Sequence, residues 1–173
     1  MRAHVVSDLE TLKALAHPLR VTVLGELRKH GPATASELAR AIGESSGSLS
    51  YHLRQLERYG FVVDDASRDG RERRWRAAHD VTTLPDALHE TAEGRAALGV
   101  IKNVQQEHLT RQLAAAEQDP DGPFEHSDYF LRLDPPDLEQ LMRELHEVVA
   151  RYVGRSGSHE IALHLMALPA EEP

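Results

Sequence analysis

The stretch TASELARAIGESSGSLSYHLRQLERYGFVV, residues 34–63, decides the fold. Thr34 and Glu37 form a T-x-x-E capping box, in which each side chain satisfies a free amide at a helix start. Ala35, Leu38, Ala39 and Ile42 follow at the i, i+3, i+4, i+7 spacing of a buried helical stripe. Gly43 then supplies the left-handed cap that ends the helix. Ser45 or Ser46 is placed to cap a second helix, whose apolar stripe is Leu49, Leu53 and Leu56 and which stops at Gly60. The rest of that helix carries Ser46, Ser48, Ser50, Tyr51, Arg54, Gln55 and Arg58. Two short helices with a tight turn between them, the second polar and basic outside, are the pattern of a helix-turn-helix. Such a motif lays its second helix in the DNA major groove.

The next residues extend the pattern. Phe61-Val62-Val63 is a short apolar strand and Arg73 to Ala77 a second, with Asp69-Gly70 between them as a hairpin turn. Helix, turn, helix and hairpin together predict a winged helix. Residues 66–78 hold five arginines, Arg68, Arg71, Arg73, Arg74 and Arg76, against Asp69 and Glu72. A hairpin that basic is suited to the phosphate backbone beside the groove. Trp75, the only tryptophan, is expected in the core under the wing.

Residues 8–80 resemble the ArsR-type winged-helix repressors. The matching motifs are LKALAHPLRVTVLGEL (Leu12 to Leu27), TASELARAIG, SLSYHLRQLERYGFV and the arginine-rich wing. Within the first, His17-Pro18-Leu19-Arg20 is the family's typical helix opening, and Pro18 suits a first turn, where its missing N–H is no loss. The resemblance implies a homodimer that binds a pseudo-palindromic operator on double-stranded DNA and represses transcription until an effector arrives. The effector, a small molecule if there is one, is not specified by these residues.

Composition agrees with a cytoplasmic regulator. The chain has 173 residues, no signal-peptide pattern and no apolar run long enough to span a bilayer. Cysteine is absent, which excludes disulfides and thiolate metal sites. The net charge of −8 is unevenly divided. Residues 1–80 hold 13 Lys/Arg against 11 Asp/Glu, a net of +2, whereas residues 81–173 hold 7 against 17, a net of −10. Basic surface is confined to the half that would meet DNA.

Three regions follow: a winged helix-turn-helix at 1–80, a long helix within 81–118, and an appendage at 119–173. The chain is thus mainly α with a small β-hairpin wing. Thr91 to Glu117 contains no proline and carries the stripe Ala97, Ile101, Val104, Leu109, Leu113 and Ala116, slightly weakened by Gly94 and Gly99. The family resemblance makes it the dimerisation helix. Gln118 to Ser127 is a polar linker without the ligand spacing of a calcium loop. Beyond it, Asp128 to Leu133 alternates, a helix starts near Pro135-Pro136, and Glu160 to Leu168 alternates again. The helix stripe is Leu138, Leu141, Met142, Leu145, Val148, Val149 and Tyr152. This predicts a small strand-helix-strand unit that stabilises a dimer or responds to an effector.

Other chemistries are weaker. Gly43-Glu44-Ser45-Ser46-Gly47 matches the G-x-S-x-G nucleophile elbow, but that elbow needs a preceding strand, and here a capped helix precedes it. No catalytic residue, cofactor or enzyme activity is therefore expected. A metal-responsive repressor using His, Asp and Glu ligands is the runner-up, since eleven histidines are present. Only His89/Glu93 has chelating helical spacing among the pairs considered. His108 suits an interface better than a metal, and His126, His159 and His164 would cluster only if the two alternating segments met. A winged helix used solely for protein assembly is a further alternative.

The candidate DNA-binding residues fall in two groups. Ser46, Gly47, Ser50 and Tyr51, early in a recognition helix spanning about Ser46–Tyr59, are expected at base edges. Ser48, Arg54, Arg58, Arg68, Arg71 and Arg74 are expected at phosphates. Tyr51 stands where relatives often carry arginine, and His52 is expected to pack or to meet a phosphate.

Overall fold

A computed structural model describes residues 2–65, 72–119, 122, 124–159 and 161–168. The hairpin tip, residues 66–71, lies outside the described residues, and with it Arg68 and Arg71.

Each local signal in the deciding stretch has its expected physical partner. The capping box closes both ways: the Thr34 amide donates to Glu37 Oε2 (2.7 Å) and the Glu37 amide to Thr34 Oγ1 (3.1 Å). It opens a helix over Ala35–Ile42, which Gly43 ends at φ 81°. Ser45 caps the next helix, Ser46–Arg58, by accepting from the Ser48 amide at 3.2 Å. Of the two serines suited to cap this helix, Ser45 does so. Upstream lie two further helices, Leu9–Leu15 and Pro18–His30, so the four helices are α1 to α4 in chain order. Pro18 occupies the first turn of α2 as anticipated.

The strands are Ala3–Val5 (β1), Ala33–Thr34 (β2), Val62–Asp65 (β3), Arg74–Ala77 (β4) and Val81–Thr83 (β5). The wing is a three-stranded antiparallel sheet in the order β2-β4-β3, with Val62 opposite Ala77 and Ala33 opposite Trp75. A second, two-stranded sheet pairs β1 with β5 in parallel, Ala3 opposite Val81. Three of these strands, β1, β2 and β5, were not anticipated, because two or three residues are too few to display an alternation.

One core joins these elements. Leu12, Val23, Leu27, Leu38, Leu49, Leu53, Leu56, Phe61 and Val62 are buried together with Trp75, which lies beneath the wing as expected. After a 3₁₀ turn at Asp86–His89, the long helix α5 (Ala92–Glu117) lays Ala97, Leu98 and Ile101 on the same core. Gly94 sits where α5 passes over that turn: a Cβ there would lie 1.9 Å from the Leu88 carbonyl oxygen. What the sequence suggests is a weak helix position is thus a close approach that admits only glycine.

The chain divides into two units, Met1–Gln112 and Leu113–Pro173. In the second, a helix runs over Pro135–Ala150 (α6), as its period predicts, yet none of its residues is buried. Among the described residues the flanking strands are not formed. Residues 128–133 and 161–168 carry no secondary structure, and Tyr129, Phe130, Leu131, Ile161 and Leu163 are exposed. The strand-helix-strand expectation is corrected to a lone helix between irregular segments. Alternation permits a strand, but a strand exists only as part of a ladder, and among the described residues neither segment pairs into one.

Candidate nucleic-acid interface

Helix α4 buries Leu49, Leu53 and Leu56 completely, which fixes its rotation. The opposite side is then Gly47, Tyr51, Arg54 and Arg58, an i, i+4, i+7, i+11 ridge, and all four are exposed. Ser46 is exposed at the helix start, while Ser48, Ser50, His52 and Gln55 on the flanks are half-buried. The geometry therefore narrows the nominated face to a ridge with one large aromatic, Tyr51 (60 % exposed), and two guanidinium groups. Arg58 lies over the Tyr59 ring, its guanidinium carbon 5.7 Å from the centroid.

The wing arginines behave differently from the helix arginines. Arg73 donates from Nε to Asp64 Oδ2 (2.6 Å) and from Nη2 to Glu57 Oε1 (2.5 Å). Its guanidinium also stacks over Trp75 at 4.2 Å, and the Asp64 bond holds it above the usual arginine range. Arg76 pairs with Asp65 across the hairpin at 3.3 Å. Arg74 reaches Glu37 at 3.3 Å and also bonds the Pro32 carbonyl oxygen, so it braces the capping box of α3. The Thr34 amide bond and, less strongly, Arg74 hold the Glu37 carboxyl below the usual carboxylate range. Of the five wing arginines, the three described are engaged with acidic groups of their own module. Any phosphate contact by Arg74 would be made by a side chain already committed to Glu37.

Beneath the ridge lies a feature that sequence reasoning missed. His17 is the N-cap of α2, its Nδ1 accepting from the Leu19 amide at 3.2 Å. The His17 ring packs on the His52 ring at 4.5 Å between centroids, and Tyr51 meets His52 edge-on at 5.2 Å. Burial, and then the neighbouring Arg20, keep the His17 imidazole below its ordinary range. His52 is lowered by burial, His17 and Arg20, partly opposed by Glu44. His52 thus packs, one of the two roles expected of it. The available signal was the pairing of a His-Pro helix opening with a histidine nearly two turns into the second helix of the motif.

A second histidine pair, His4 and His79, stacks at 4.9 Å behind the wing, with Phe61 edge-on to His4. Arg28 ties this corner together by donating to the His79 carbonyl (3.1 Å) and Thr82 Oγ1 (2.7 Å). Among the described residues no group of three or more His, Asp and Glu side chains is arranged to hold a metal ion. No helix among them is long and apolar enough to cross a membrane.

Comparison with known proteins adds the following. Residues 15–64 match a family model described as a helix-turn-helix domain. No curated protein sequence matches. Similar solved structures include an ArsR family transcriptional regulator, 30% identical, covering 59% of this chain and 90% of that one at a TM-score of 0.34. The YusO protein of Bacillus subtilis is 16% identical over 82% of this chain and 81% of its own, at 0.38. A mutant of S. aureus MepR bound to an oligodeoxyribonucleotide is 14% identical over 83% and 87%, at 0.34.

Proposed function

We propose that this chain, whose residues 15–64 match a helix-turn-helix domain, is a sequence-specific DNA-binding repressor of the ArsR kind. No enzyme activity is proposed, since the matched domain over residues 15–64 is a helix-turn-helix. The observation that carries the reading is the Gly47-Tyr51-Arg54-Arg58 ridge, exposed on the second helix of the motif and turned away from the core. Tyr51, with Ser46, Gly47 and Ser50 beside it, approaches base edges. Arg54 and Arg58 hold phosphates on either side of the groove. The protein works as a homodimer on a pseudo-palindrome, its half-sites about 34–36 Å apart or a multiple of that distance. The lower part of α5, where Val104 and Leu109 are half-covered and Leu113 is exposed, is the surface through which two copies pair.

Fluorescence anisotropy tests this directly. The full chain is titrated onto its own upstream promoter DNA and onto a scrambled duplex, across a salt series. Tight binding that prefers the promoter and weakens steeply with salt is the expected result. Equal affinity for both duplexes removes the promoter as operator, and absence of binding at low salt removes the DNA-binding reading altogether.

A further inference from the structure

Resting on that DNA-binding reading, we propose that His52 and His17 are positioning residues for base recognition: a three-ring stack, His17–His52–Tyr51, holds the Tyr51 side chain in the orientation that reads sequence. The stack starts at a fixed point. His17 is anchored by the Leu19 amide at the N-terminus of α2, and its ring cannot turn without losing that bond. His52 lies 4.5 Å away on α4 and Tyr51 a further 5.2 Å out, its ring 76° to that of His52. Edge-to-face geometry of this kind favours one relative orientation, because the positive edge of one ring meets the negative face of the other. A tyrosine that is mostly exposed would otherwise sample several rotamers, and ordering it only on DNA would cost affinity for the correct site. The arrangement thus acts on discrimination more than on general affinity, which phosphate contacts dominate.

Charge explains why the stack is sensitive. Arg20 lies against it from α2, with its Nε buried and without a hydrogen-bond partner, and its Nη2 donates to the Lys13 carbonyl at 3.5 Å. Tyr51 and Tyr59 face Arg20 from the α4 side, Tyr59 being bound to Glu10 at 2.6 Å, and Glu44 faces His52 from the turn before α4. His17 accepts at Nδ1, so a proton there abolishes the α2 cap and places a cation beside Arg20. His52 Nδ1 is likewise buried without a partner. Both imidazoles are held below their ordinary range, so the stack is intact at neutral pH and is lost only in more acid solution.

The experiment measures the ratio of affinities for promoter and scrambled duplex, with far-UV circular dichroism on each variant. Wild type is expected to keep its ratio from about pH 8 to 7 and lose it below about pH 6, while scrambled-duplex affinity does not fall. His52→Ala should reduce the ratio about tenfold at neutral pH, the size of one good base contact. His52→Phe keeps a ring without a titrating group, and should restore the ratio and reduce its pH dependence. His17→Asn keeps a capping acceptor but no ring, and should fold yet discriminate poorly. A folded His52→Ala with an undiminished ratio overturns the proposal, as does a His52→Phe no better than alanine. Should His52→Ala fail to fold, His17→Asn and the wild-type pH series decide on their own. Wild type that binds neither duplex at low salt instead overturns the DNA-binding reading beneath it.

Discussion

The two units of this chain have similar hydrophobic patterning and opposite outcomes. In Met1–Gln112, helices with a clear apolar stripe bury it: Leu49, Leu53 and Leu56 of α4 are fully enclosed. In Leu113–Pro173, α6 has an equally regular stripe, yet Leu138 and Val148 remain 36% and 42% exposed. A periodic stripe states that a helix has something to bury, not that the chain supplies the surface to bury it against. The first unit supplies that surface through many short elements meeting at Phe61, Val62 and Trp75. Among its described residues the second has the last turn of α5, the helix α6 and irregular segments, too little to enclose a core.

The sharpest way to break this contrast is a pair of truncations. Leu53→Ala should cost about 2–5 kcal/mol in urea unfolding, whereas Leu138→Ala should cost well under about 1 kcal/mol, because little burial is lost. Equal costs would mean that α6 is covered in solution. Next in size is Gly94→Ala, which forces a methyl group against the Leu88 carbonyl and should cost about 1–3 kcal/mol. Thr34→Ala removes one half of the capping box and should cost about 1 kcal/mol, with loss of amide protection at the start of α3. Gly99→Ala meets open space in the same long helix as Gly94 and should stabilise by about 0.5–1 kcal/mol. Opposite signs for two glycines five residues apart would separate close approach from propensity.

The smallest expected effect is a dependence on pH confined to the first unit. His4, His17 and His52 are all held below 6.5, chiefly by burial. As pH falls through 6.5 the unfolded chain takes up protons before the native state does, so stability is full at neutral pH and declines in acid until the depressed native values are passed. Thermal melts at about pH 7.5 and 5.5 should show a lower midpoint in acid, and replacing His4 with a neutral residue should narrow the gap. A midpoint that rises in acid would contradict buried, neutral imidazoles.

Much of the site was legible because its signals are local. The outward ridge of α4 follows from the rotation that Leu49, Leu53 and Leu56 impose, and the wing hairpin from a turn between two short apolar or aromatic runs. The engagement of the wing arginines was not legible. Nothing in RERRWRA tells which arginine meets Glu57 on α4, which meets Asp65 across the hairpin, and which reaches back to Glu37. A count of positive charge therefore does not tell that Arg73, Arg74 and Arg76 are each engaged with a carboxylate of their own module. The strands expected on either side of α6 failed for the converse reason: their alternation is real, but a ladder is a relation between two segments.

By itself, then, the amino-acid sequence determined the helix-turn-helix, its caps and its stops, since each depends on groups within about four residues of one another. The tertiary structure alone decided three things. It added β2 as the third strand of the wing, paired β1 with β5 across nearly eighty residues, and seated the His17 ring on His52. These contacts join groups far apart in the chain, in elements too short to show a period. Only the burial of a common core brings them within reach.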